Sequence, residues 1–124
     1  MALSGRMPTR NESDRAPLLQ GTLDLLVLRT LALGPHHGHG IAMAIQHSSR
    51  GDLLVDHGSL YPALQRLESR GLVRAKWGVS DNNRRARFYE LTRSGRAQLV
   101  REAKEWRRMA GAVALVLGPE FTGG

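Results

Sequence analysis

The feature that most constrains this chain is a short helix pattern followed at once by two strand patterns, in residues 56–92. Leu60, Leu64 and Leu67 recur at helical spacing and therefore form one apolar stripe. Asp56 is a good N-cap before this helix, and Gly71 is a good C-cap after it. The order predicts a capped helix that leads directly into a β-hairpin.

The hairpin pattern occupies residues 72–79 and 84–92, on either side of a turn at residues 80–83. Apolar residues alternate with polar or small ones along the first strand, as one face of a strand requires; they are Val73, Ala75, Trp77 and Val79. Phe88 or Tyr89, with Leu91, supplies the buried face of the second strand. The turn contains Asn82 and Asn83, and asparagine tolerates the positive φ that a tight hairpin needs.

Two more helix patterns precede this unit. The first runs from about Gly21 to Leu33 and is apolar nearly all round, which is typical of a helix at the centre of a small core. The second runs from about Gly40 to Ser49, with His39 as its expected cap. Residues 53–55 predict a short strand that pairs with the hairpin. The predicted fold class is α+β, mostly α: a winged helix-turn-helix.

The last helix pattern, residues 94–117, is long and has a heptad character. Its apolar positions are spaced alternately by four and three residues, which indicates a coiled-coil-like seam; they are Leu99, Ala103, Trp106, Ala110, Val113 and Leu117. This helix either folds back on its own domain or pairs with a second copy. The earlier elements already make a complete small core, so the sequence favours a C-terminal dimerisation helix and a homodimer.

The domain boundaries predicted from these patterns are a flexible tail (1–17), a winged helix-turn-helix (18–93), the dimerisation helix (94–117) and a second tail (118–124). The chain has no cysteine, which excludes disulfides and thiolate metal sites. No segment approaches the roughly 20 apolar residues of a membrane span, and the N-terminus lacks an apolar signal-peptide core. We therefore expect a cytoplasmic protein without membrane contact.

The positive charge is concentrated in the second half of the chain. Residues 57–124 hold thirteen basic and six acidic side chains, a difference that equals the whole net charge of +7. The excess is either a solubilising surface or a face that binds polyanions. Its place on the hairpin and the helices around it favours nucleic acid.

The third helix and the hairpin tip carry side chains suited to DNA. Gln65 offers a donor and an acceptor to adenine, and Arg66 offers two donors to guanine. Hydroxyls and arginines suit phosphates or a narrow minor groove. The alternatives are that Tyr61 is a half-buried core aromatic with its hydroxyl at the rim, a role compatible with DNA contact, and that the arginines decorate a solvated strand edge. The adjacent helix favours DNA contact for the arginines. The predicted DNA-contacting residues are Ser59, Tyr61, Pro62, Gln65 and Arg66 on the helix and Asn83, Arg84, Arg85 and Arg87 on the hairpin.

Other candidate sites are weaker. His36, His37 and His39 form a local cluster, but it lacks supporting carboxylates or thiolates and helical spacing, so we predict a turn and no metal site. Trp106 lies mid-seam between alanines, where it either packs the dimer core or stacks a planar ligand. No catalytic triad, carboxylate pair or phosphate loop is visible. We predict neither a cofactor nor enzymatic activity.

Four blocks of the chain resemble the PadR-type transcriptional regulators, which are small winged-helix repressors. The blocks are residues 19–28, 38–42, 58–73 and 85–96, within a similarity that covers about residues 18–110. One departure is His39, where the family usually has tyrosine between the two glycines. The resemblance implies a dimer whose C-terminal helices pair and whose DNA affinity is lowered by small aromatic or multidrug-like ligands.

The sequence thus predicts a homodimeric regulator, a repressor by resemblance, that binds pseudo-palindromic double-stranded DNA and responds to a small aromatic effector. A dimer would place its two reading helices about 34 Å apart, one turn of duplex. The alternative is a basic winged-helix module that binds RNA or an acidic protein and has no effector. The heptad seam favours the first hypothesis, because a two-fold dimer matches a palindrome.

Overall fold

The computed structural model of the protein describes residues 20–120, so the predicted tail at residues 1–17 and positions 121–124 of the second tail lie outside the described residues. Four helices and a small antiparallel sheet confirm the predicted fold class. The elements are α1 (Gln20–Ala32), β1 (His36–His37), α2 (Gly38–Ser48), α3 (His57–Ser69), β2 (Val73–Val79), β3 (Arg85–Leu91) and α4 (Arg93–Leu117).

The core is built around α1, as its apolar pattern predicted. Val27 and Leu28 are fully buried, and Leu23 and Leu31 nearly so. The inward faces of α2 and α3 pack on this helix, and the base of the sheet closes the core. Their largest buried side chains are Ile41, Ile45, Leu60, Leu64, Leu67, Val73 and Tyr89.

Capping fixes α3 at both ends. The carboxylate of Asp56 accepts a hydrogen bond from the Ser59 N–H at 2.9 Å, which satisfies a free donor of the first turn. After the last turn, the Leu72 N–H donates to the Leu67 carbonyl and the Gly71 N–H to the Glu68 carbonyl, each at 2.9 Å. This paired arrangement ends a helix with the chain reversed. The chain therefore passes directly from α3 into β2.

The sheet has the order β1–β3–β2, and β2 and β3 form the wing. Cross-strand partners include Ala75 with Tyr89 and Trp77 with Arg87, so these side chains share one face of the wing. Only the base of that face is buried: Val73 is 2% exposed and Trp77 58%. The wing projects beyond the helices, which leaves its outer half without a packing partner.

The prediction of a third strand at residues 53–55 is wrong. Its place is taken by β1, where His36 pairs with Tyr89 and His37 with Phe88. Residues 53–55 have no regular structure, and Leu53 and Val55 pack against the core instead. Apolar periodicity alone could not predict which segment would pair, because a strand also needs a neighbouring strand with free backbone groups. At the free edge of β3, residues 36–37 of the α1–α2 connector occupy that position.

The start of α2 also differs from the prediction. His37 is the N-cap, and its Nδ1 accepts a hydrogen bond from the Gly40 N–H at 3.0 Å. His39, the expected cap, lies inside the first turn with its side chain exposed. The helix begins two residues early because an imidazole nitrogen serves as a cap acceptor, a role usually filled by Ser, Thr, Asp or Asn.

The last helix, α4, begins with Thr92, whose hydroxyl accepts a hydrogen bond from the Gly95 N–H at 3.0 Å. Its first half packs on α1, with Leu99 8% exposed. Its second half continues past the core with apolar side chains in solvent. None of the helices among residues 20–120 combines the length and apolar character needed to cross a bilayer.

Candidate nucleic-acid interface

The outward face of α3 presents most of the predicted helix contacts. Ser59, Tyr61, Pro62 and Gln65 are all exposed, opposite the buried leucines. The amide of Gln65 stands clear of the core, and the Tyr61 side chain is 44% exposed. The Ser59 hydroxyl donates to the Asp56 carboxylate at 3.2 Å. This face therefore offers an amide and hydroxyls, the groups that read base edges and phosphates.

Arg66 departs from its expected position on that face. Its Nη2 donates to the Asp24 Oδ1 of α1 at 2.9 Å, and the Asp24 side chain is only 11% exposed. The buried Nε–H of Arg66 has no hydrogen-bond acceptor among residues 20–120. The guanidinium therefore links α3 to α1, while the Arg66 side chain stays 35% exposed. Asp24 lies 42 positions away, so no local pattern predicts this pairing.

The wing tip adopts a tight turn over residues 80–84. The Ser80 N–H donates to the Arg84 carbonyl at 2.8 Å, and the Asn83 N–H donates to the Ser80 carbonyl at 2.9 Å. Asn83 has a φ of 59°, the positive value that the two asparagines predicted. The turn leaves Arg84 exposed at its end.

The wing arginines have three different environments. Arg84 is exposed and takes part in no ion pair among residues 20–120. The Arg85 guanidinium lies 4.3 Å from the centre of the Trp77 ring, which holds it flat against the wing. Arg87 Nη2 donates to Glu68 Oε2 of α3 at 2.9 Å and thereby ties the wing to that helix.

The Tyr89 ring lies next to the ion pair between Arg87 and Glu68. Its ring centre lies 5.8 Å from the Arg87 guanidinium. Burial raises the pKa of the Tyr89 phenol, and the positive charge of Arg87 opposes that shift only in part. Because its pKa is raised, the phenol stays neutral and does not act as a negative partner for Arg87. Among residues 20–120, Arg87 therefore pairs with the Glu68 carboxylate.

A cleft of about 670 Å³ separates the wing from the first turns of α2 and α3. Half of its lining residues are basic or aromatic, among them His39, Tyr61, Trp77, Arg84, Arg85 and Arg87. The structure thus brings Tyr61 of α3 and the wing arginines to one cleft, whereas Ser59, Pro62 and Gln65 do not line it.

The same region contains a row of stacked rings that the sequence analysis missed. His37 stacks on His39, His39 on His57 and His57 on Tyr61, with ring centres 6.4, 5.9 and 5.8 Å apart. Only the spacing of His57 and Tyr61, four residues apart on one helix, was a visible signal. Among residues 20–120 no group of side chains is arranged to hold a metal ion.

A second surface, formed by α1 and α4, is largely apolar. Leu99 and Ala103 of the predicted seam pack against the protein's own core, whereas Trp106, Val113 and Leu117 are 51%, 50% and 74% exposed. A groove of about 520 Å³ runs between α1 and α4, lined by Leu25, Leu26, Leu53, Leu99, Ala103 and Trp106 among others. The first half of the seam is thus used within one chain, and the second half is uncovered.

Residues 27–101, more than half of the chain, match the model of the "Transcriptional regulator PadR-like family". The chain belongs to the PadR-like family of transcriptional regulators. The match includes all of α2, α3 and the wing and ends early in α4. The resemblance stated from the four blocks is confirmed.

Similar proteins agree with this assignment. A transcriptional regulator of Mycobacterium tuberculosis is 39% identical over 75 residues, which cover 60% of this chain and 68% of that protein. A solved PadR family transcription regulator of Clostridium difficile R20291 is 30% identical, with a TM-score of 0.65 and coverage of 77% and 98% of the two chains. A solved PadR-like regulator of Bacillus cereus, 24% identical, shares the fold with a TM-score of 0.70 over 82% and 97%.

This PadR-like protein is therefore a DNA-binding transcriptional regulator and not an enzyme, as the sequence predicted. Its predicted DNA-contacting residues all fall within the family match, whereas Ala103 and the later seam residues lie beyond it. The family assignment favours DNA over the RNA or acidic-protein alternative.

Proposed function

We propose that this PadR-like regulator is a homodimeric repressor that binds pseudo-palindromic operator DNA through α3 and the wing. The observation that carries the proposal is the separation of two surfaces. Tyr61 of α3 and the wing arginines border one cleft, while the exposed apolar half of α4 does not line that cleft. One surface suits DNA, and the other suits a second copy.

The DNA contacts divide into reading and positioning residues. Gln65 is exposed and suited to base edges in the major groove, and Arg84 is free to follow phosphates or enter the minor groove. Arg85 lies on the Trp77 ring but has no ion-pair partner among residues 20–120, so its charge is available to the same phosphates. Arg66 and Arg87 are held by Asp24 and Glu68, so they set the angle of α3 and of the wing. Ser59, Tyr61 and Pro62 shape and orient the first turns of α3, and Asn83 shapes the wing tip.

A dimer through α4 follows from the exposed apolar side chains. Met109, Val113, Val116 and Leu117 are each at least half exposed and, with Ala112, line one continuous surface. Contiguous apolar surface of this kind marks an interface in a water-soluble domain.

The direct test is binding to DNA from upstream of the protein's own gene, followed by footprinting. We expect a two-fold symmetric footprint whose half-sites are spaced by about one duplex turn, 34 Å. Gln65→Ala should reduce discrimination between operator and random duplex by about 1–3 kcal/mol. Replacing Arg84 and Arg85 by alanine should weaken both duplexes alike and lower the salt slope by about one for each lost phosphate contact.

Arg101→Ala is the control for charge, because Arg101 is exposed on α4 and does not line the cleft. It should leave discrimination and salt slope as in the native protein. The proposal fails if neither duplex is bound, or if the Gln65 and arginine variants behave identically. Preference for an RNA hairpin over both duplexes would favour the alternative module.

Release by a small aromatic ligand is the remaining part of the proposal. The groove volume lies within the range of sites for small molecules, and its wall includes the half-exposed Trp106 ring. Since the chain has two tryptophans, Trp77→Phe leaves Trp106 as the only source of indole fluorescence. Planar aromatic compounds that quench this fluorescence should also weaken operator binding, and Trp106→Leu should abolish both effects. Quenching without any loss of DNA affinity would contradict the release step.

A further inference from the structure

The stacked row of His37, His39, His57 and Tyr61 connects two helices at the edge of the DNA-facing cleft. His37 and His39 belong to the start of α2, while His57 and Tyr61 belong to the first two turns of α3. The planes of successive rings differ by only 8°, 13° and 21°. Four rings in one orientation are an ordered feature of the surface.

Packing fixes this row at both ends. At one end, His37 is held by the hydrogen bond that its Nδ1 accepts from the Gly40 N–H, and its ring also packs edge-on against Phe88 at 5.3 Å. At the other end, the Tyr61 ring lies against the backbone of Gly38, where a Cβ atom would come within 2.6 Å of the hydroxyl oxygen. Glycine at this position allows the close approach.

The two middle rings are the chemically available ones. A proton on His37 Nδ1 would break the cap of α2, so His37 is committed to a structural role. His39 and His57 are exposed, and neither ring makes a hydrogen bond to residues 20–120. Their nitrogens are therefore open to an outside partner.

The electrostatic surroundings favour an anion as that partner. The wing contributes three positive groups to the same cleft and one negative group, and the Asp56 carboxylate is already engaged by the Ser59 N–H and hydroxyl. The stacking brings both imidazole edges to one place, so a single phosphate beside the rings could accept a hydrogen bond from each. The titratable and charged groups around the pair are His37, Tyr61, Asp81, Arg84, Arg85 and Arg87 of the cleft and Asp56, the residue before His57.

We propose that His39 and His57 form a subsite for a DNA backbone phosphate and take up protons when DNA binds. The inference rests on the proposed function, since it assumes that DNA occupies the cleft. The complex then holds more protons than the free protein, so affinity rises as the pH falls through the range in which histidine titrates, and is lost as the pH rises through it. A phosphate contact carries no base preference, so the effect is the same for every sequence.

The test measures binding of a fluorescent duplex of random sequence at about pH 6 and about pH 8, at constant ionic strength. The native protein should bind about fivefold more tightly at the lower pH. In the double variant His39→Gln/His57→Gln this ratio should fall close to one. His47→Gln is the matched control, because His47 is exposed near the end of α2 and is not part of the stacked row; it should keep the native ratio.

A second variant and a second measurement separate this role from a structural one. His39→Tyr retains a stacking ring and loses the titrating group, so it should keep the native circular dichroism spectrum and a smaller pH ratio. Calorimetry in two buffers of different ionisation enthalpy should show proton uptake with the native protein and less with His39→Tyr. If the double variant does not fold, the pH ratio and proton uptake of His39→Tyr test the phosphate subsite.

The outcomes distinguish the two proposals. Absence of DNA binding by the native protein at both pH values would overturn the proposed function and the phosphate subsite together. Binding with the same pH ratio in the native protein, the double variant and His39→Tyr would overturn the subsite alone and leave the proposed function standing.

Discussion

Single residues in this protein take roles that depend on what holds them. The arginines of α3 and the wing look equivalent in sequence, yet Arg66 and Arg87 are each fixed by a carboxylate at 2.9 Å while Arg84 extends into solvent. A paired arginine fixes the orientation of its helix or strand, whereas an unpaired arginine remains available to bind DNA. The Asp24–Arg66 pair is the clearest example, because Asp24 is buried among the leucines and Val27 of α1.

Asp24→Asn tests this role. The change leaves the Arg66 guanidinium without its counter-charge in a partly buried site, which should lower the free energy of unfolding by about 1–3 kcal/mol. Urea unfolding followed by circular dichroism measures the loss. Asp52→Asn is the control, since Asp52 is exposed and forms no ion pair among residues 20–120. Equal stability of the two variants would contradict an anchoring role.

At the scale of elements, α4 is set by its crossing over the chain that leaves α3. The Thr92 hydroxyl donates to the Gly71 carbonyl at 2.7 Å, and the Thr92 N–H donates to the Leu72 carbonyl at 3.1 Å. Gly95 then passes so close to Leu72 that a Cβ atom would meet its carbonyl oxygen at 2.0 Å. The direction of α4, and thus of the exposed apolar half, depends on this contact.

Gly95→Ala should therefore force backbone movement and destabilise the protein by more than about 2 kcal/mol. Gly111→Ala in the same helix has no atom within 4 Å of the new Cβ, and it should stabilise by about 0.5–1 kcal/mol through helix propensity. Thermal unfolding of the two variants measures opposite shifts. A similar shift in both would show that propensity, and not the close approach, governs this site.

The whole molecule has a charged surface, which we propose binds DNA, and a separate apolar surface, which we propose binds a second copy. The wing and α3 form the first, and the second half of α4 with the α1–α4 groove forms the other. Because α1 and α4 pack directly on one another, a ligand that widens the groove between them would shift α1. α1 is in turn linked to α3 by the ion pair between Asp24 and Arg66. This connection is a physical route by which a ligand beside Trp106 could alter the angle of α3.

Val113→Glu tests the apolar side as an interface. A charge in the proposed seam should convert a dimer to a monomer in light scattering and weaken operator binding at least about tenfold, because one half-site is lost. Val100→Glu is the control: Val100 is likewise exposed on α4 but lies outside the seam. A dimer that persists in Val113→Glu would place the interface elsewhere.

The sequence alone determined the elements whose signals are local. The leucine stripe and Asp56 predicted α3, alternation predicted the faces of β2 and β3, and Asn83 predicted the positive φ at the wing tip. Hydrogen bonds and spacing within a few residues decide such features, so they can be read along the chain.

Only the tertiary structure decided the pairings between distant positions. In the folded protein His36 and His37 form the third strand, Arg66 pairs with Asp24, and His39 of α2 stacks on His57 of α3. These outcomes depend on which elements arrive beside one another when the core around α1 closes. Each of these residues is polar, so hydrophobic periodicity carries no record of its partner, and packing alone selects it.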